Sequence, residues 1–151
     1  MQKLKALNSR ELKELYKELE RFGFNGKLDC IVLLSSKDKL YLLSRDYEKL
    51  DVSSLRINNK GMYFGKKEKD GLRLSIEGSQ IINATKNVVE LDKEGMEKWV
   101  SGSDVDFNHD TGYVIVKYGK DVLGCGRIVD NKLRNMVPKE RRIKELVSAR
   151  I

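Results

Sequence analysis

Apolar and polar positions alternate most regularly over residues 112–129, GYVIVKYGKDVLGCGRIV. The run Tyr113–Tyr118 has the period of two that a half-buried β-strand requires. Gly119 and Lys120 separate it from a second run, Val122–Val129, and a two-residue loop that begins with glycine suits a tight type II′ turn. In the second run one face carries Gly124, Gly126 and Ile128, and the other carries Leu123, Cys125, Arg127 and Val129. The pattern predicts an antiparallel hairpin whose two glycines leave room for another backbone or a ligand.

Shorter apolar runs in residues 1–84 predict an α/β domain with antiparallel strands. Asn8 and Glu11 have the spacing of a capping box ahead of a helical apolar stripe, and Gly23 ends that helix. The charged segment Gly65–Gly71 ends in Asp-Gly and is predicted to be an exposed hairpin loop. The other predicted elements are strands at Leu28–Ser35, Lys39–Ser44, Met62–Phe64 and Leu72–Ile76, and short helices at Arg45–Leu55 and Gly78–Ala84.

Residues 85–151 predict a second unit built around the hairpin. Its further elements are a strand at Val88–Leu91, a helix at Asp92–Val100 and a closing strand at Leu133–Val137. From Pro138 onward the sequence predicts either a short terminal helix or a tail that frays. Trp99 has helical spacing to Met96 and Val100, which favours a core position over base stacking. Since no Pro- or Ser-rich linker separates the two units, we expect them to pack against each other.

Positive charge is concentrated toward the end of the chain. The formal net charge is +7, and residues 117–151 contribute +6 of it, with ten Lys and Arg against four Asp and Glu. A concentrated basic patch is the electrostatic footprint of a protein that binds a phosphate backbone. A solvated, lysine-rich surface with no ligand has the same composition, so the charge alone does not decide between the two.

The candidate chemistry along the chain argues against catalysis. The chain lacks a GxSxG, P-loop or dinucleotide fingerprint. Cys125 alternates with apolar residues, where a thiol usually serves as a small buried hydrophobe, although with His109 it would offer a nucleophile and a base. The loop Ser101–Thr111 contains Asp and His side chains, but their spacing fits no calcium loop, and one histidine cannot build a His-rich metal site. We therefore expect no enzyme activity, no cofactor and no metal.

The expected compartment follows from the cysteines and the hydropathy pattern. Cys30 and Cys125 lie far apart without CxxC spacing, which argues against a zinc site and favours a reducing compartment. The longest apolar run in the N-terminal half, Cys30–Leu34, is far too short for a membrane span, and no segment resembles a signal peptide. The sequence predicts a cytoplasmic protein, nucleolar if the source is eukaryotic, without a membrane partner.

The predicted hairpin also carries a resemblance to a known family. An apolar strand, a tight turn and an apolar-Gly-x-Gly-Arg-apolar strand near the end of a small basic chain resemble the PUA domain, an RNA-binding module named after pseudouridine synthases and archaeosine transglycosylases. Val88–Leu91, the helix that follows it and Gly102 are similar to the strand, helix and glycine that open such domains. The resemblance runs from about Asn87 to Ile143 and implies a PUA-like mixed β-barrel over residues 85–151.

The first half extends the resemblance. The order Tyr41–Ser44, Phe64–Lys66, Leu72–Leu74 and then a PUA-like unit is similar to the NIP-type factors of large ribosomal subunit assembly and their archaeal relatives. That resemblance implies an α+β chain with an N-terminal pre-PUA-like domain over residues 1–84. It also implies RNA binding without catalysis.

These observations together predict a non-catalytic protein that binds structured rRNA or tRNA in ribosome assembly or RNA modification. The alternative is an adaptor that docks an RNA-modifying enzyme, such as an RNA methyltransferase, through its N-terminal domain; a pre-ribosomal or RNA-modification protein would then be a second partner. Cations would meet phosphates, and glycines would permit close approach of a folded RNA. The predicted RNA-binding residues are Gly102, Lys117, Gly124, Gly126, Arg127, Lys132, Arg134, Lys139, Arg141 and Arg142.

Overall fold

The computed structural model describes residues 3–44 and 61–143 and gives them a mixed α/β fold with two five-stranded sheets. In the first sheet the strands follow each other in chain order, and each is antiparallel to the next. They are β1 (Leu4–Ala6), β2 (Ile31–Ser35), β3 (Lys39–Leu43), β4 (Met62–Glu68) and β5 (Gly71–Leu74). The N-terminal half is therefore rich in antiparallel strands, as predicted. The predicted helix at Arg45–Leu55 lies outside the described residues.

The second sheet contains the predicted hairpin at its centre. Its strands are β6 (Val88–Glu90), β7 (Val105–Asp106), β8 (Gly112–Tyr118), β9 (Asp121–Val129) and β10 (Lys132–Arg134). They lie in the order β6-β8-β9-β10-β7, with β6 parallel to β8 and every other pair antiparallel. The predicted mixed character is confirmed. One of the two sheets curls into a half-barrel, which confirms the predicted PUA-like mixed β-barrel in part.

Three α-helices in the described ranges connect and cover the strands. The first, α1 (Ser9–Glu20), begins at the predicted capping box: Asn8 accepts a hydrogen bond from the Glu11 amide, and the Glu11 carboxylate accepts one from the Asn8 amide. The others are α2 (Ile76–Ile81) and α3 (Lys93–Val100). None of these helices is both long and apolar enough to cross a membrane.

Several predicted elements differ from the observed ones. The segment Gly65–Gly71 is mostly strand, because β4 continues to Glu68 and turns tightly into β5. β1 was not predicted, since its sequence, Leu-Lys-Ala, is too short to show a period. Between Pro138 and Ile143 the chain forms a single 3₁₀ turn, Lys139–Arg141, where an α-helix was one of the two predicted alternatives, and the rest of that helix lies outside the described residues.

One apolar core joins the two halves of the chain, which confirms the predicted packing. It contains residues of α1 and the first sheet together with residues of the hairpin β8–β9, among them Leu15, Leu40, Phe64, Tyr113, Ile115 and Cys125. A second cluster lies on the other face of the hairpin and centres on Trp99, which has no exposed surface. The predicted division between residues 84 and 85 stays a prediction, and the first core crosses it.

The connection between the halves is fixed to the end of α1. The Phe22 carbonyl accepts hydrogen bonds from the amides of Thr85 and Lys86, at 2.8 and 3.1 Å. The side chain of Asn87 donates to the carbonyl of Arg21 at 2.7 Å. The Asn87 carbonyl in turn accepts a bond from the Ile115 amide on β8. The connector therefore belongs to the packed structure.

Candidate nucleic-acid interface

The hairpin β8–β9 forms with the predicted two-residue turn. Tyr118 pairs with Asp121, and Gly119 between them has a positive φ of 60°, a conformation that glycine adopts without strain. The local signals in residues 112–129 were therefore sufficient to locate both strands and the turn.

A β-bulge in β9 changes which residues share a face. Val116 pairs with Gly124 and the next residue, Lys117, pairs with Val122, so Leu123 is left without a partner on β8. Leu123 packs with the Trp99 cluster, whereas Cys125 lies in the core shared with the first sheet. The prediction that Leu123 and Cys125 share one face was wrong, because a single extra residue reverses the alternation.

The space beside the two glycines of β9 is occupied by side chains of the protein. A Cβ atom on Gly126 would lie 2.7 Å from both Trp99 Cη2 and Leu133 Cδ1, closer than real Cβ contacts allow. Gly124 is also buried, and its missing side chain would face Ile76. The prediction of an open face with two glycines was wrong at Gly126, where Trp99 fills the space; Gly124 lines a cavity described below.

Four of the predicted RNA-binding cations form ion pairs with carboxylates from distant segments. The partners of Arg134 and Arg141 are 30 and 64 residues away in sequence. Charge counted along the chain therefore overstates the charge of this surface. The pairs are Arg127 with Asp70 at 2.6 Å, Arg134 with Asp104 at 3.0 Å, Arg141 with Glu77 at 3.0 Å and Lys132 with Asp106 at 4.0 Å.

The pair between Arg127 and Asp70 connects the two sheets. The Tyr113 hydroxyl donates to the same carboxylate at 3.0 Å, and the Arg127 guanidinium lies 6.0 Å from the centre of the Tyr113 ring. Burial and the neighbouring carboxylate raise the pKa of Tyr113 to about 12. Partial burial alone would raise the pKa of Asp70, but the hydrogen bond from Tyr113 and the charge of Arg127 lower it below its usual value. Arg127 therefore has a structural role, because its ion pair links the two sheets.

Arg142 and Gly102 are also engaged with each other. A Cβ on Gly102 would lie 2.5 Å from Arg142 Cδ, and Arg142 Nε donates to the Val137 carbonyl at 3.2 Å. Gly102 was predicted to allow close approach of RNA, but the aliphatic part of the Arg142 side chain lies there. Lys139 is exposed and Lys117 half-buried, and neither forms an ion pair within the described ranges.

A row of cations on the first sheet was missed by the sequence analysis. Lys39 on β3 lies opposite Lys66 on β4, and Lys66 lies opposite Arg73 on β5. Cross-strand partners project from the same face, so the three side chains form one row. Tyr63 lies beside it, with Lys39 Nζ 5.7 Å from its ring centre and a hydrogen bond from Arg73. Burial raises the pKa of Tyr63 against the charge of Arg73.

A cavity of about 600 Å³ lies between this row and the second sheet. Lys39, Tyr63 and Arg73 form one wall, and Gly124 and Trp99 belong to the opposite side. The segment that follows β10 closes the cavity with Val137, Pro138 and Arg141. The cavity therefore brings one predicted cation, Arg141, together with cations that the sequence analysis had placed elsewhere.

Comparison with known proteins assigns the second half. Residues 86–143 match the family described as the methyltransferase RsmF PUA domain. These residues form a PUA-like domain. The resemblance inferred from the hairpin is thereby confirmed for this part of the chain.

The chain is also similar over most of its length to proteins named ribosomal RNA small subunit methyltransferase F. It is 29% identical over 131 residues to the protein from Vibrio cholerae, which covers 84% of this chain and 27% of the relative. It is 30% identical over 112 residues to the Aeromonas salmonicida protein, covering 72% and 23%. It is 27% identical over 143 residues to the Vibrio campbellii protein, covering 88% and 30%. The chain thus spans less than a third of these relatives.

The candidate nucleophile of the PUA-like domain, Cys125, lies in the apolar core. Cys125 is 5% exposed, and burial raises the pKa of its thiol to about 12, so it remains protonated at neutral pH. The prediction that Cys125 is a packing residue is confirmed. Asp104 accepts hydrogen bonds from the Asn135 amide and Arg134. Among the described residues, no three His, Cys, Asp or Glu side chains are grouped as a metal site would require.

Cys125→Ser is expected to lower the free energy of unfolding by about 1–3 kcal/mol, because a hydroxyl replaces an apolar thiol in the core. RNA affinity per folded molecule should not change. Chemical denaturation and a binding titration of the folded variant measure the two quantities. A fully folded variant that has lost its function would contradict the packing role and support a nucleophile.

Proposed function

We propose that the protein is a non-catalytic RNA-binding protein whose PUA-like domain docks on structured RNA, with rRNA as the first candidate and tRNA as the second. The observation that carries the proposal is the match of residues 86–143 to the PUA domain of a methyltransferase whose relatives are named for ribosomal RNA. The net charge of +7 is consistent with a polyanionic partner.

The ion pairs on the surface do not prevent phosphate binding. An exposed salt bridge contributes about 0–1 kcal/mol, so a cation can exchange its carboxylate for a phosphate at low cost. The side chains of Arg134 and Arg141 are each about half exposed, at 53% and 47%, which leaves them accessible for that exchange. Lys117 and Lys139 need no exchange at all. Arg127 and Arg142 are the weakest candidates, because one joins the sheets and the other covers Gly102.

A second role is favoured by the same relatives. More than two thirds of each methyltransferase lies outside the region similar to this chain. We therefore propose as the alternative that the protein targets an RNA methyltransferase to its substrate, with the N-terminal half as the docking surface. Action in ribosome assembly, as the resemblance to the NIP-type factors implies, stays a prediction. Binding to RNA with a steep salt dependence supports the first role, and salt-insensitive binding to a protein supports the alternative.

The salt dependence of RNA binding tests the proposed function. Lys117→Gln with Lys139→Gln should lower the slope of log affinity against log salt by about 0.7–0.9 for each phosphate that the variant no longer neutralises. The matched control is Lys13→Gln with Lys17→Gln, which removes two exposed lysines from α1 and should leave the slope unchanged. Filter binding of a structured rRNA fragment between low and physiological salt gives the slopes.

Two outcomes of this titration would count against the proposal. If the unaltered chain fails to bind structured RNA, the function itself is wrong. If both lysine pairs lower the slope equally, the RNA lies on the general basic surface and the PUA-like domain has no special part in binding.

A further inference from the structure

We propose that the cavity between the first sheet and the PUA-like domain receives one unpaired nucleotide of the bound RNA, with its phosphodiester on Lys39 and Arg73. The inference rests on the proposed function and locates a site within it. Cavities of about 300–1,000 Å³ are typical of small-ligand sites. At about 600 Å³ this one lies within that range.

The cation row indicates an anionic ligand. Like charges directly opposite each other on neighbouring strands destabilise a sheet. Lys66, in the middle of the row, is balanced by Glu68 at 3.4 Å. Lys39 and Arg73, on either side of it, line the cavity and form no ion pair in the part of the chain that the structure describes. An anion in the cavity would neutralise the positive charge that Lys39 and Arg73 leave unbalanced on this face of the sheet.

The charge of the cavity wall matches a phosphodiester. Its cations are Lys39, Arg73 and Arg141, and its carboxylates are Glu77 and Glu140. Glu77 is neutralised by Arg141 at 3.0 Å, and Glu140 is exposed. One positive charge remains, and an internal phosphodiester carries one negative charge. The wall therefore favours a nucleotide within a chain over a free nucleotide with a doubly charged terminal phosphate.

The remaining wall suits a base. Leu123, Met136, Val137 and Pro138 give it an apolar side, and Tyr63 contributes an aromatic ring. Bases stack on such surfaces with little sequence preference. Trp99 also belongs to the lining, and its Nε1–H is buried without a hydrogen-bond partner among the described residues. Because the Trp99 side chain has no exposed surface, a base in the cavity would affect it through the residues that cover it.

Trp99 supplies the measurement, because it is the only tryptophan in the chain. Its emission is followed while an rRNA stem with one bulged nucleotide is added, and the same stem without the bulge is the comparison. The bulged stem should change the emission saturably. Lys39→Gln with Arg73→Gln should weaken this binding at least about tenfold, since each substitution removes a charge-assisted hydrogen bond to the phosphodiester. Arg10→Gln with Lys13→Gln, on the opposite side of the first sheet, should change it less than about twofold.

Filter binding of the same RNAs separates this inference from the proposed function. The bulged stem could bind with a steep salt slope without changing the Trp99 emission, and with the same affinity for the Lys39→Gln/Arg73→Gln variant as for the unaltered chain. In that case the nucleotide site is wrong and the proposed function stands. If the unaltered chain binds neither stem, both are wrong. If inorganic phosphate at the same concentration causes the same emission change, the cavity binds a simple anion and the proposed nucleotide site is wrong. Circular dichroism confirms folding of the variants, and Lys39→Gln alone, with a smaller loss expected, provides a second test.

Discussion

Trp99→Ala is expected to lower the free energy of unfolding by about 3–5 kcal/mol, the range observed when a large buried aromatic side chain is removed. Trp99 is 0% exposed and packs against Leu133 and Ile128 in the cluster beneath β9 and β10. The surrounding strands are fixed by their hydrogen bonds and cannot close the space. Urea denaturation followed by far-UV circular dichroism measures the loss.

A double-mutant cycle with Gly126 assigns the cost to a particular contact. Gly126→Ala alone should cost about 1–3 kcal/mol, because the new methyl group would meet Trp99 Cη2 at 2.7 Å. The backbone at Gly126 does not have a positive φ, so alanine introduces no backbone strain. In the Trp99→Ala background the part of that cost caused by Trp99 should disappear, and the part caused by Leu133 Cδ1, also 2.7 Å from the new Cβ, should remain. Additive losses would contradict the contact and show that Gly126 serves another purpose.

Phe64→Ala is expected to destabilise both sheets together, again by about 3–5 kcal/mol. Phe64 is fully buried in the core that contains Tyr113, Ile115 and Cys125 of the PUA-like domain. Loss of its ring from β4 should lower the denaturation midpoint of Trp99 fluorescence, which reports on the second sheet, as much as the midpoint of circular dichroism. Ile81→Ala, at a side chain that is 44% exposed, is the control and should have an effect within about 0.5 kcal/mol.

Separate transitions would contradict the shared core. If the Trp99 midpoint of the Phe64→Ala variant is unchanged while circular dichroism shows an earlier phase, the two halves unfold independently. The predicted division between residues 84 and 85 would then describe two thermodynamic units.

Features that arise from neighbouring residues could be predicted from the sequence. The capping box needs only Asn8 and Glu11, three residues apart, and the turn of the hairpin needs only Gly119 and its alternating flanks. The core position of Trp99 followed from its helical spacing to other apolar residues. In each case the determining interaction lies within about one turn of helix or one hairpin, where periodicity is informative.

Features that depend on distant partners could not be predicted. β4 extends through Gly65–Glu68 because these residues pair with β3 and β5, and the sequence alone shows only a charged, glycine-containing stretch. The bulge at Leu123 depends on the register with β8. Arg141 was counted as a free charge because Glu77, its partner, belongs to another helix. The cation row was missed for the same reason, since Lys39, Lys66 and Arg73 become neighbours only through sheet pairing.

The connector at Thr85–Asn87, which is hydrogen-bonded to the end of α1, limits how the PUA-like domain can be excised and fused to another protein. Residues 86–143 are the unit that sequence comparison recognises, yet that unit ends in the middle of a protein interior. A fragment that begins at residue 86 would lose the Phe22 carbonyl that accepts the hydrogen bond of the Lys86 amide. It would also expose Tyr113, Ile115 and Cys125 to water. A fusion protein that contains this fragment would therefore carry an exposed apolar patch that favours aggregation. A fragment that keeps this core intact therefore has to begin before α1.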